Sequence, residues 1–248
     1  MQRLIDADIR FGCITVLSRA NHMQVEAIYE FFEERSLSFR LLPVYRTGFA
    51  QQHQPYALRN EEIVDAFCKV VDRWFASESL IQVRPVQDYI TNVVRHYSGT
   101  ALHPLHYDEI DAQLLFILNT NGYLYSNADA YDPAWCYGNV FSSPLQKVLS
   151  STSATGARAA RHARMQATCH PCKFFGGCSG FYMGEATPEQ RFLNQSGGLT
   201  CGVVQPVQNY IVGKLIADGI VDPVTRSVDR TQLDFSLLEP ELTAASEY

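Results

Sequence analysis

Apolar residues near the start of the chain alternate between the spacing of a buried strand and the spacing of an amphipathic helix. The run "FGCITVL" at 11–17 is short and rich in apolar side chains, so it predicts a buried strand. Residues 25–32 repeat apolar side chains at i, i+3, i+4 and i+7, which predicts a helix, with Asn21 as its cap. "LSFRLLPV" at 37–44 predicts the next strand.

A second helix and a third strand continue the same order. Asn60 is predicted to cap a strongly amphipathic helix, and "LIQV" at 80–83 is a candidate strand. The apolar face of that helix comprises Ile63, Phe67, Val70, Val71 and Trp74. The crossovers are long enough for parallel pairing, but two or three strands are too few for a barrel or a doubly wound sheet. The pattern therefore predicts the end of a larger α/β domain.

The pattern changes in the second half of the chain. Residues 86–97 predict a helix that leads to a second region, where "QLLFILNTNGYLYSN" has two β-rich runs around Asn121 and Gly122. Asn-Gly is strongly preferred in two-residue hairpin turns, so a β-hairpin is expected there. Two later helices are predicted, a short basic one in "ATGARAARHARMQA" and a final one over 206–219.

Composition narrows the classes of partner. The 248 residues are 46% apolar, enough to fill a core, and the formal net charge of -6 argues against nucleic acid. The longest apolar run, "LLFIL", is far too short to cross a membrane, and the charged start "MQRLIDADIR" has no secretion signal. A cytoplasmic location is therefore expected, where thiols stay reduced and can bind metal.

Seven cysteines are present, an odd number that fits poorly with a closed set of disulfides. Cys13 and Cys68 lie inside apolar patterns, and we interpret both as small core residues.

Four cysteines have the density of a metal site. Cys169-x2-Cys172-x5-Cys178 is followed, after 22 intervening residues, by Cys201, and we refer to these as the four-cysteine set. A Cys-x2-Cys pair lets one turn of chain present two sulfurs, and the glycines of "FGGC" and "SGGLTCG" allow the backbone to fold tightly around them. Such sites hold zinc or a [4Fe–4S] cluster, and the spacing alone does not separate the two.

A family resemblance rests on these segments. "FILNTNGYLYS", "YGNVFSSPLQKVLSS" and the cysteine run resemble the SPASM domain, the auxiliary iron–sulfur domain of radical S-adenosylmethionine (SAM) peptide maturases. "RLIDADIRFGCITVLSRANHMQVEAIYEFFEERSLSFRLLPVY" resembles the late βα units of the radical SAM barrel. The resemblance extends over roughly residues 2–215.

The resemblance implies a fold class and a domain division. The fold would be α/β, a partial radical SAM (TIM-like) barrel remnant of two to three parallel βα units followed by a small α+β SPASM domain with a β-hairpin. The barrel portion would span 1–84, a linker helix and loop 85–112, the SPASM-like iron–sulfur domain 113–219 and a C-terminal tail 220–248.

The resemblance also implies positions for SAM. Ser18, Asn21, Leu42 and Pro43, near strand ends, match positions where barrels of the family meet SAM, although the pattern explains them equally as strand terminators and a helix cap. The family cleaves SAM at a cluster held by a CxxxCxxC motif, and the sequence contains neither this motif nor the glycine-rich SAM-binding segment. The chain is thus expected to be inactive alone and to bind SAM only with a missing N-terminal half.

Complete SPASM domains carry two auxiliary clusters, and the first is expected to be missing here. Ser126 stands where the hairpin cysteine is expected, and Tyr182 stands four residues after Cys178. The second ligand pattern is intact, so the four-cysteine set is predicted to hold one auxiliary [4Fe–4S] cluster that relays electrons or supports structure. Cys136 is expected to be a free thiol.

The leading hypothesis is therefore the C-terminal part of a radical SAM/SPASM enzyme that modifies a peptide or protein substrate. Its expected partners are the missing N-terminal barrel half or a complementary subunit, the precursor peptide or protein, and an electron donor such as flavodoxin or ferredoxin. The alternative is a non-enzymatic peptide-binding module stapled by zinc or by one cluster. A third possibility is a degenerate fragment that binds no metal.

Overall fold

The computed structural model describes residues 1–9, 11–45, 55–79, 81–98, 116–125, 135–178, 180, 198–229 and 231. A short helix α1 (Gln2–Asp6) precedes a sheet of three strands, β1 (Cys13–Leu17), β2 (Phe39–Pro43) and β3 (Val83–Arg84). The strands are parallel and lie in the order β1-β2-β3. The parallel βα units predicted from the sequence are confirmed.

Three helices connect or follow these strands. Helix α2 (Val25–Glu33) joins β1 to β2, α3 (Asn60–Ala76) joins β2 to β3, and α4 (Val86–Tyr97) follows β3. The predicted apolar face of α3 is confirmed, because all five of its predicted side chains are buried. On the helix side of the sheet, Leu17 and Leu41 are fully buried.

The two predicted helix caps are wrong in detail. The carboxamide oxygen of Asn21 accepts from the Ser18 backbone N–H at 2.8 Å, and its Nδ2 donates to the Val16 carbonyl at 3.0 Å. Asn21 therefore closes the loop after β1, because these nearer backbone groups take its side chain. Asn60 is the first residue of α3, and the Arg59 N–H donates to the Glu62 side chain at 2.8 Å across the helix start.

The predicted hairpin is confirmed. Strands β4 (Ile117–Leu118) and β5 (Tyr123–Tyr125) pair antiparallel, and β6 (Cys136–Asn139) pairs with β5 to complete a small sheet. Gly122 adopts a φ of +84°, a conformation that side chains with a Cβ rarely reach. Helices α5 (Leu145–Leu149) and α6 (Thr152–Arg164) follow this sheet, and Tyr137, Val148 and Ala154 form a second, smaller core with Leu124 and Ala157.

The last helix returns to the first core. Helix α7 (Val204–Ala217) packs against α3 and α4, and its apolar side chains belong to the same buried cluster as those of the parallel sheet. At its surface, Tyr210 donates to Asp72 of α3 at 2.6 Å, and Lys214 pairs with the same carboxylate at 3.1 Å. The predicted division at residue 113 stays a prediction, although side chains from both sides of it share this core.

A final hairpin, β7 (Val221–Asp222) with β8 (Ser227–Val228), lies within the segment 220–248 that the sequence predicts as a tail. Ile220 and Val221 are buried in the main core. Of this segment, residues 230 and 232–248 lie outside the described residues. Within the described ranges, no helix is long and apolar enough to cross a membrane.

We expect the buried face of α3 to be a main source of stability. Phe67 is fully buried and meets the Tyr89 ring edge-on, with ring centroids 6.0 Å apart, whereas Phe141 is 75% exposed. Phe67→Ala should lower the free energy of unfolding by about 3–5 kcal/mol, because it removes a large buried side chain and leaves a cavity. Phe141→Ala, the matched control, should change it by less than about 0.5 kcal/mol. Denaturant unfolding followed by circular dichroism measures both, and equal losses would contradict this assignment of the core.

Candidate metal centre

Short turns bring the first three members of the four-cysteine set close together. Helix α6 runs into a single π-helical turn, Met165–Cys169, which ends at the first cysteine. The Cys172 N–H then donates to the Cys169 carbonyl at 2.9 Å, and the Cys178 N–H donates to the Phe174 carbonyl at 2.7 Å. Each cysteine therefore follows a tight turn, and the chain wraps back on itself within ten residues.

All four thiols of the set line one pocket. The pocket has a volume of about 390 Å³, including the space at its mouth. Besides the cysteines, the lining residues are Thr168, Phe175, Gly180, Val204, Gln205 and Gln208. Cys201 reaches this pocket from the segment just before α7, so the chain contributes sulfur from two separate segments. Whether the thiols ligate a metal stays a prediction.

Close backbone packing fixes the cysteine segment to the α/β core. Phe174 is fully buried and meets the His96 ring of α4 edge-on at a centroid distance of 5.5 Å. A Cβ placed on Gly177 would lie 2.6 Å from the Asn92 carbonyl oxygen of α4. Gly180, at a φ of +69°, packs so closely that a Cβ there would lie 2.9 Å from the Cys169 sulfur. Gly177, one of the glycines expected around the site, therefore lies where backbone meets backbone, and Gly180, which was not predicted, lies against sulfur.

The pocket disfavours free thiolates. Burial, together with smaller contributions from the neighbouring Cys178, Cys201 and Cys172 sulfurs, raises the pKa of Cys169 to about 12. Burial likewise raises the pKa of Cys201 to about 12, although the backbone N–H groups of Gln205 and Val204 oppose this. The Cys169 and Cys201 thiols are therefore protonated at pH 7, and a bound cation would have to displace their protons.

The same pocket carries hydrogen-bond donors directed at sulfur. Gln205 Nε2 donates to the Cys172 Sγ at 3.6 Å. Burial raises the pKa of Cys178, while the Gly180 N–H and the Gln208 amide oppose that rise. Two buried polar atoms of the lining, Thr168 Oγ1 and Gln208 Nε2, have no hydrogen-bond partner within the described part of the chain. Such donors suit a group that brings negative charge or sulfur acceptors into the pocket.

The arrangement of the thiols differs from that of a compact one-ion site. Among the described residues, no group of three or more His, Cys, Asp and Glu side chains has the geometry to hold a metal ion. Zinc at four sulfurs needs Zn–S distances of about 2.3 Å to all of them at once. A four-iron cluster places its thiolates on separate irons, so its ligands surround a volume rather than a point. A pocket lined by four thiols is compatible with the second arrangement.

The other three cysteines lie outside the lining of the pocket. Cys13 and Cys68 are half-buried, and Cys13 packs against the main core, as expected for small apolar residues. Burial raises the pKa of Cys68 to about 11, with further contributions from Asp72 and Asp65. Cys136 is half-buried in β6. Ser126 and Tyr182, the positions expected to lack cysteines of a first auxiliary cluster, lie outside the described residues.

The predicted SAM positions lie at or just after the C-terminal ends of strands β1 and β2. Leu17 pairs with Pro43, so β1 and β2 end side by side, and Ser18 directly follows β1. Asn21 is tied to this end by its bonds to the Ser18 N–H and the Val16 carbonyl. The side chain of Leu42 is 40% exposed. Their role in binding SAM stays a prediction.

Sequence reasoning missed the polar residues of the pocket. Gln205 and Gln208 lie one turn apart on α7, and Gln208 occupies a buried position among apolar neighbours. The sequence could have pointed to Gln208, because a glutamine among the apolar residues of a helix needs a hydrogen-bond partner when it is buried. The partner could not be identified without knowing that the cysteines lie beside that helix.

Comparison with known proteins supports the fold. No protein-family model and no curated protein matches the sequence. Among solved structures, hexahistidine-tagged anSMEcpe with bound AdoMet matches 97% of this chain with a TM-score of 0.57 at 13% identity. Native anSMEcpe with bound AdoMet and Kp18Cys peptide matches 88% of it with a TM-score of 0.55 at 14% identity. The chain spans 59–60% of the length of those chains.

At this level of identity the comparison shows a shared fold. anSMEcpe is a radical SAM/SPASM anaerobic sulfatase-maturating enzyme, so the structural resemblance predicted from the sequence is confirmed at the level of the fold. The predicted fold class is confirmed as well, because a parallel three-stranded sheet precedes small antiparallel sheets, in agreement with a partial barrel and a small second region.

A pair of glycine substitutions tests how the pocket is attached to the core. Gly177→Ala should lower the free energy of unfolding by about 1–3 kcal/mol, because the new methyl group would overlap the Asn92 carbonyl. Gly213→Ala, in the exposed interior of α7 with no atom within 4 Å of the new Cβ, should raise it by about 0.5–1 kcal/mol. Thermal and denaturant unfolding measure both. A neutral Gly177→Ala would contradict the close approach to α4.

Proposed function

We propose that this chain is the C-terminal part of a radical SAM/SPASM enzyme that modifies a peptide or protein substrate, and that the four-cysteine set holds one auxiliary [4Fe–4S] cluster. The observation that carries the proposal is the convergence of four thiols from two chain segments on one pocket. The fold shared with anSMEcpe, whose structures contain AdoMet and in two cases a peptide, supports the assignment to this class.

The pocket residues fit a cluster in three ways. Four cysteines satisfy the usual ligand count, so no cluster position is left open for substrate. The buried thiols need a cation to become thiolates, and the amide donors of α7 stabilise the resulting negative charge. When bound, the cluster would supply one-electron transfer or a cross-link between the segment 169–178 and α7. Phe175 and Val204 contribute apolar surface to the lining around it.

The SAM site would be completed by a part of the enzyme that this chain does not supply. The sequence has no CxxxCxxC motif, and the chain spans about 60% of anSMEcpe. We propose that Ser18, Asn21, Leu42 and Pro43 contribute one side of that site and that an N-terminal barrel half or complementary subunit contributes the other. Strand β1 has a neighbour on one side only within the described sheet, and it exposes Ile14 and Val16.

The remaining partners follow from the chemistry of the proposed class. A precursor peptide or protein would be the substrate, and a donor such as flavodoxin or ferredoxin would deliver electrons. A reducing, cytoplasmic environment would keep the four-cysteine set available to iron.

Cluster loading tests the proposal directly. The chain, reconstituted anaerobically with ferrous iron and sulfide, should become brown and bind ~4 iron and ~4 sulfide per molecule. Cys201→Ala should lose most of the bound iron, because it removes the ligand that joins the second segment to the cluster. Cys136→Ala, the matched control outside the pocket, should retain wild-type loading. Iron and sulfide analysis with electron paramagnetic resonance of the reduced protein provides the measurement.

Two results would overturn this assignment. A colourless protein that carries about one zinc ion would favour the alternative, a non-enzymatic module stapled by zinc. Equal iron loss in Cys136→Ala and Cys201→Ala would place the cluster elsewhere.

SAM turnover tests the need for a second part. The reconstituted chain alone should release no 5′-deoxyadenosine from SAM under reducing conditions, because it lacks the CxxxCxxC cluster. Addition of a separately expressed chain that carries this motif, where one is encoded adjacent to this gene, should give turnover above that of the added chain alone. Release of 5′-deoxyadenosine, measured by chromatography, distinguishes these cases. Turnover by the isolated chain would contradict the proposed division.

A further inference from the structure

Helix α7 contributes hydrogen-bond donors to the pocket that the four thiols line. Its first turn begins three residues after Cys201, and the backbone N–H groups of Val204 and Gln205 face the Cys201 sulfur. From the same turn, the Gln205 side chain donates to the Cys172 sulfur at 3.6 Å. The donors thus come from one rigid element of 14 residues. Their positions are fixed by the packing of this helix rather than by a loop.

Gln208 is the least expected of these donors. It is 1% exposed and lies on the apolar face of α7, beside Val207 and Ile211. A buried amide that makes no hydrogen bond carries an uncompensated cost of desolvation. Its Nε2 has no hydrogen-bond partner within the described part of the chain, and the residue lines the pocket together with Cys178. A methionine or leucine would fill this position without that cost, so packing alone does not explain a glutamine.

We propose that Gln205 and Gln208 tune the reduction potential of the bound cluster by donating N–H groups to the sulfurs of Cys172 and Cys178. This inference rests on the proposed function, because it assumes that the four-cysteine set holds a cluster. Reduction adds negative charge to a cluster, and hydrogen bonds to its sulfurs stabilise the more negative state. The two side chains therefore raise the reduction potential. They are positioning residues, because they act on the cluster through the cysteine thiolates and do not ligate iron themselves.

Substitution by methionine separates this role from packing, because methionine has a similar length and no N–H group. Gln208→Met should lower the equilibrium constant for one-electron reduction about tenfold, which corresponds to a fall of about 59 mV in potential. Gln205→Met should give a smaller fall in the same direction, because the Gln205 side chain is partly exposed whereas that of Gln208 is buried. Asn209→Met, on the exposed side of the same helix, is the control and should retain the wild-type potential.

The measurement is a redox titration of the reconstituted chain followed by electron paramagnetic resonance, with iron content determined on each sample. Unchanged potentials in both glutamine variants, with wild-type iron content, would overturn this inference and leave the proposed function standing. Failure of the wild-type chain to assemble any cluster would overturn both. If Gln208→Met does not assemble a cluster, Gln205→Met decides the question, since a wild-type potential there would show that the donors support structure alone.

Discussion

The packing of α7 on the α/β core is the interaction on which the rest of the structure depends. This helix places apolar side chains in the main core, and its first turn lies against Cys201. Burial of each large apolar side chain contributes about 1.5–3 kcal/mol, so the several buried residues of α7 hold its position firmly. Because Phe174 and Gly177 are fixed to α4 in the same way, both cysteine segments are positioned by the core.

The burial of the pocket has an electrostatic consequence for its thiols. The apolar pocket raises the pKa of Cys169 and Cys201 to about 12, so both thiols are protonated at pH 7. A metal bound as proposed would have to displace these protons, so its affinity would increase as pH rises toward those pKa values. Helix α7 offsets part of the charge through its backbone and side-chain donors. The same element therefore contributes both to stability and to the electronic environment of the site.

Much of the fold could be predicted from the sequence because its signals are local. The apolar period of α3, the strand runs of β1 and β2 and the Asn-Gly turn of the hairpin each depend on neighbours a few residues away. The prediction of Asn21 as a helix cap failed because its side chain bonds both the Ser18 N–H and the Val16 carbonyl, and the spacing of residues does not reveal these bonds. The roles of Gln205 and Gln208 depend on contacts across some 30 residues, and no periodic pattern encodes them. For the same reason, the sequence alone could not establish that Cys201 lies in one pocket with Cys169, Cys172 and Cys178.

One face of the parallel sheet exposes apolar side chains. One face of β1 and β2 is packed by helices, yet on the other face Val16 lies opposite Leu42, and both are exposed. Parallel sheets normally bury both faces, and an outer strand with exposed apolar side chains readily pairs with another chain. The strand ends at Leu17 and Pro43, which carry the predicted SAM positions, lie on this same uncovered sheet. A single element that covers this face would therefore bury the apolar side chains of Ile14, Val16 and Leu42 and lie beside the predicted SAM positions at the strand ends.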